Sequence, residues 1–65
     1  MHWVEIIAND KGICYCLQSE GGQFTIAKIF VNGVVMYELY RDKVYVETYP
    51  TGRQAKEAAV NMVNA

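Results

Sequence analysis

A chain of 65 residues has room for one domain that buries only about 60% of the surface its unfolded form exposes, which excludes a deep, enclosed active site. The formal net charge is −1, with six Lys and Arg spread along the chain, so the basic stripe of a typical nucleic-acid binder is missing. No apolar run nears the roughly 18 residues that cross a bilayer.

Hydrophobic residues make up 52% of the chain, slightly above the roughly 45–50% usual in soluble domains. One small core does not hide all of them, so part of this surface is expected to meet another molecule or a second copy of the chain. The opening Met1-His2-Trp3-Val4-Glu5 has neither the basic start nor the apolar stretch of a signal peptide, and a cytoplasmic location is expected. Cys14 and Cys16 stand one residue apart. On a strand they are roughly 7 Å apart on one face, too far for an easy disulfide, so they read as reduced, small apolar groups in a reducing compartment.

The first segment, 2–8, reads as a strand because Val4, Ile6 and Ile7 are β-branched and no capping residue precedes them. A short helix is the alternative, since Trp3, Val4 and Ile7 would share one of its faces. Asn9-Asp10-Lys11-Gly12 reads as a type I turn closed by a left-handed glycine, followed by a strand over 13–19. Glu20-Gly21-Gly22 forms a second turn before a strand over 23–31. Asn32-Gly33 between Val31 and Val34 is a strong hairpin signal, because both central positions of a type I′ turn need positive φ. A strand over 34–41, a turn at Asp42-Lys43 and a strand over 44–49 follow.

The last segment predicts a helix over about 52–64. Thr51 caps it, and Gln54 three residues on fits a capping box. Ala55, Ala58, Ala59, Met62 and Val63 form one apolar stripe. The fold class is therefore α+β: an antiparallel β-meander of four to five strands, with one C-terminal helix packed on one face.

A two-residue turn at 32–33 sets Phe24 opposite Arg41, Ile26 opposite Leu39 and Phe30 opposite Val35. If 42–43 is also a two-residue turn, Leu39 faces Val46 and Tyr40 faces Tyr45. Period-two alternation then puts Phe24, Ile26, Phe30, Val35 and Leu39 on one face with Val44 and Val46, which is a core for the helix stripe. The other face takes Ile29, Met36, Tyr40 and Tyr45, with Val31, Val34 and Tyr49 around them and Glu38 opposite Glu47. Opposed carboxylates destabilise a strand pair mildly, so this face is expected in solvent. Its tyrosines and aliphatics have the composition of an interface centre. Tyr40, Tyr45, Glu38, Glu47, Met36 and Ile29 are the candidate partner-binding residues.

Catalytic signals do not assemble. His2 is the sole histidine, no glycine-rich phosphate loop leads into a helix, and metal binding by the cysteines would need further ligands. No catalytic residue, metal or cofactor is expected, and the chain does not read as an enzyme.

From about residue 15 to 60 the chain resembles the double-stranded RNA-binding domain. The resemblance runs through Tyr15-Cys16-Leu17-Gln18-Ser19-Glu20-Gly21, Phe24-Thr25 and Val31-Asn32-Gly33. It closes on Pro50-Thr51-Gly52-Arg53-Gln54-Ala55-Lys56-Glu57-Ala58-Ala59. It implies a last helix whose capped start carries a basic cluster for phosphates, here Arg53 and Lys56, with Gly52 where a lysine is expected. The Gly-Pro-x-His loop of that family is cut to Gly21-Gly22-Gln23. In size and strand-rich, one-helix layout the chain is also similar to small phage-encoded proteins. The leading expectation is a non-catalytic protein–protein interaction module, an inhibitor or accessory factor of a phage or mobile element. It would act on a larger host protein or by self-association. The alternative is a degenerate domain for duplex RNA.

Overall fold

The turn residues cut the chain into five strands that pair in the order in which they occur. The computed structural model describes the backbone of residues 1–9 and 13–64 and the side chains of residues 1–5 and 17–64. Strands β1 (Trp3–Asn9), β2 (Ile13–Ser19), β3 (Phe24–Val31), β4 (Val34–Arg41) and β5 (Val44–Tyr49) form one antiparallel sheet in the order β1-β2-β3-β4-β5. Helix α1 (Gly52–Asn64) lies across β3, β4 and β5. This is the α+β meander that the periodicity predicts.

The first segment is a strand, paired with β2 from Trp3 opposite Ser19 to Asn9 opposite Ile13. Its β-branched residues lose little by extending, and β2 pairs the backbone groups along one of its edges. The turn expected at 9–12 falls largely outside the described residues, as do the side chains of Cys14 and Cys16. At the next connection Gly21 and Gly22 take φ values of 92° and 78°, which only glycine adopts cheaply. Ser19 is buried there, and its Oγ accepts the Phe24 N–H at 2.9 Å.

Asn32 and Gly33 have φ of 52° and 81°, the two left-handed positions of a type I′ turn. The register follows, from Val31 opposite Val34 down to Phe24 opposite Arg41. Asp42 and Lys43, at φ 50° and 69°, make a second turn of the same kind and set Arg41 opposite Val44 and Tyr40 opposite Tyr45.

Beyond that pair the register slips. Glu47, not Val46, lies opposite Leu39, Thr48 opposite Glu38 and Tyr49 opposite Tyr37. Val46 is the extra residue of a β-bulge, and every residue after it changes face. The expected pairings of Leu39 with Val46 and of Glu38 with Glu47 are both corrected by this one insertion.

Phe24, Ile26 and Leu39 are fully buried beneath Ala55 and Ala59 of the helix. The two alanines let α1 approach closely. Trp3, Leu17, Tyr37, Val46, Tyr49, Ala58 and Met62 close the flanks. Burying each large apolar side chain contributes about 1.5–3 kcal/mol, so three of them make a small core. Thr51 caps the helix as expected, its Oγ accepting the Gln54 N–H at 3.1 Å.

Phe30 and Val44, expected in the core, are 72% and 66% exposed. Both point to the helix side, but Phe30 sits near the tip of the β3–β4 hairpin and Val44 opens the edge strand, away from the Phe24–Leu39 centre. Val63 is exposed as well. At 100° per residue it stands about 80° around the helix from Ala55, off the centre of the buried stripe.

Candidate functional site on the open sheet face

The helix covers the side of the sheet that carries Phe24, Ile26 and Leu39. Residues one step along each strand therefore point to the opposite side, where no described element packs. The cross-strand pairs Thr25–Tyr40, Ala27–Glu38, Ile29–Met36 and Val31–Val34 share that face, as do Tyr40–Tyr45 and Glu38–Thr48.

Tyr40 and Tyr45 form its centre, with ring centroids 5.8 Å apart and planes at 72°, an edge-to-face pair. The Tyr40 hydroxyl donates to Glu38 Oε1 at 3.0 Å. The Tyr45 hydroxyl shares a 2.7 Å hydrogen bond with Thr48 Oγ1. Each ring is thus held at both ends, by its neighbour and by its own phenol. Rings fixed in this way lose little further freedom on binding. Ile29, Met36 and Glu38 are half-buried, and Tyr45 is 52% exposed.

Five of the six expected binding residues share this face: Tyr40, Tyr45, Glu38, Met36 and Ile29. Glu47 does not. The bulge turns it to the helix side, together with Tyr49, which the plain alternation also placed on the open face. There Tyr49 packs on the core flank. Burial, the Glu47 carboxylate, a hydrogen bond to that carboxylate and Tyr45 together hold its phenol above the usual value of 10.0. Thr48 takes the vacated place opposite Glu38 and was missed by sequence reasoning. The clean alternation of β5 carries no sign of the bulge.

The consequence is electrostatic. Instead of a pair of acids, the open face has Glu38 as its sole charged side chain among the described residues, and that carboxylate is hydrogen-bonded within the face. Depletion of charge with aromatic and Met enrichment marks interface centres.

The phosphate-binding candidates lie elsewhere. Arg53 and Lys56 are on α1, and Arg53 Nε is 3.9 Å from Glu57 Oε1. Lys56 lines a shallow depression of about 280 Å³ with Glu57, Val60 and Asn61 on the outer side of the helix. An acid therefore accompanies both bases. No helix among the described residues is long and apolar enough to cross a membrane, and no three metal-ligating side chains gather among them. No family model, curated protein or solved structure matches the chain.

Proposed function

We propose that this protein is a small, non-catalytic, intracellular protein–protein interaction module that binds through the open face of its sheet. The observation that carries this reading is the fixed Tyr40–Tyr45 pair on a face bordered by Ile29 and Met36, with one internally bonded carboxylate. Tyrosine offers large contact area with few torsions to freeze, and such residues commonly anchor interfaces. Action on a larger protein as an inhibitor or accessory factor fits a chain whose chemistry is confined to a surface.

Affinity capture of partners from the native host, with bound proteins identified by mass spectrometry, tests the reading. Tyr40→Ala and Tyr45→Ala are expected to lose the partner that wild type retains. Glu47→Lys, on the helix side, is expected to keep it. Capture unaffected by both tyrosine substitutions would move the site to another surface.

A further inference from the structure

We infer that the partner of the open face is a second copy of this chain. Two sheets would pack face to face about a two-fold axis, with both helices outside. This rests on the reading of that face as the binding surface and names its occupant.

Three observations point to self-packing. The first is size. The two longest extents of the chain are 36 and 23 Å, an upper footprint of roughly 830 Å², against the ~800 Å² per partner of a standard interface. A standard interface on this chain would therefore take up nearly the whole open side of the sheet, as a second sheet laid over it does.

The second is charge. A partner of opposite charge needs a charged surface to meet, and Glu38 is the sole charged side chain among the described residues of this face. Its bond from the Tyr40 hydroxyl lets it face a copy of itself at moderate cost. The other described Asp, Glu, Lys and Arg residues fall on the helix side, on the helix or in the turns. They would ring a dimer and stay in water.

The third is the fit of a sandwich. Sheets in face-to-face contact interdigitate alternating side chains across about 10 Å. Ile29 and Met36 stand beside the small Ala27, and Tyr40 beside Thr25, which supplies the ridges and hollows that such packing needs. Among the described residues, each protomer buries three large side chains completely. A shared second core would add apolar burial that one helix does not provide.

Sedimentation equilibrium on the full chain from about 1 µM to about 1 mM tests the inference, with each variant's fold checked by circular dichroism. Wild type is expected to dimerise with a micromolar Kd. Met36→Lys should raise that Kd at least about tenfold by pressing an ammonium into the contact. Tyr45→Lys, at a half-exposed ring, serves the same purpose if Met36→Lys fails to fold. Phe30→Ser, at the exposed hairpin tip on the helix side, should leave it unchanged within about twofold. Glu38→Gln keeps the shape and removes two facing charges, so it should tighten the dimer.

A wild-type monomer at every concentration overturns the inference. So does a dimer indifferent to both lysine substitutions, or one lost with Phe30→Ser. A dimer weakened by Glu38→Gln would show that the carboxylates do not face each other across the contact, and overturns the packing inferred. If wild type is monomeric yet captures a host protein that Tyr45→Lys loses, the binding-module reading stands while the inference falls. If neither association occurs, both fall.

Discussion

Leu39 and Tyr40 are neighbours on β4 that point to opposite sides of the sheet, so truncating each in turn measures which side is the core. Leu39 is fully buried between Phe24, Ile26 and the helix alanines. A Leu→Ala change at such a site removes three buried carbons and leaves a cavity, at a cost of about 2.7–5 kcal/mol. Tyr40→Ala loses the edge-to-face contact with Tyr45, about 0.5–1.5 kcal/mol, and the hydrogen bond to Glu38, about 1 kcal/mol net. It leaves no closed cavity, because its side is open, so the two losses together, about 1.5–2.5 kcal/mol, are expected. For 65 residues the whole stability is about 3–10 kcal/mol at the usual 0.05–0.15 kcal/mol per residue. Leu39→Ala therefore removes a large share of the stability, while Tyr40→Ala leaves most of it. Urea titration read by the single tryptophan, Trp3, which packs on the core flank, gives both values. Protein should be dilute enough that self-association does not add to stability. A Tyr40→Ala cost equal to or above that of Leu39→Ala refutes the assignment of faces.

Lys43→Gly is expected to stabilise the fold by about 0.5–1 kcal/mol, since Lys43 holds a left-handed φ of 69° that costs a non-glycine residue roughly 1–2 kcal/mol, partly offset by glycine's greater chain entropy; thermal melts of the two proteins check this. Tyr49 contributes stability that is intact below its unfolded value of 10.0 and lost as pH rises through its higher folded value, because burial and the Glu47 carboxylate favour the neutral phenol. Denaturation midpoints between about pH 9 and pH 12 should fall, and Tyr49→Phe should flatten that fall; an equal fall in both proteins contradicts the assignment. Labelled duplex RNA at low salt should bind weakly at best, because Glu57 sits beside Arg53 and Lys56. Submicromolar affinity that drops steeply with salt and vanishes in an Arg53→Glu, Lys56→Glu double variant would establish the RNA-binding alternative.

The parts of the fold legible from residues alone are those governed by backbone stereochemistry. Asn32-Gly33 suits a type I′ turn, and a two-residue loop leaves one register for its hairpin. Every β3–β4 pair therefore falls where counting from the turn puts it. The Thr51 cap and the alanine stripe of α1 are local in the same sense. Core membership at the margins was less legible, because it depends on where a 13-residue helix ends over a wider sheet. Phe30 and Val44 have core-like side chains on the correct side of the sheet, yet the helix passes over neither.

The bulge at Val46 was hidden for a different reason. Val44-Tyr45-Val46-Glu47-Thr48-Tyr49 alternates without a glycine or any other mark of irregularity, so unbroken pairing was the natural reading. What the bulge gains is visible only in three dimensions: Tyr49 comes to the core flank beside Tyr37, just before the helix begins. Unbroken alternation would have left Tyr49 on the open side and brought Glu47 against Glu38. The same slip protects the edge strand, since a bulge raises local twist and spoils the straight ladder that another strand would need. Edge pairing through β5 is thereby disfavoured, and the open face is left as the broad surface, with the Tyr40 and Tyr45 hydroxyls already bonded within it. The opposed carboxylates that the plain register implied give way to a nearly neutral tyrosine surface. Such a surface is recognised by shape and apolar contact, so substitutions that change its contour should matter more to binding than those that change its charge.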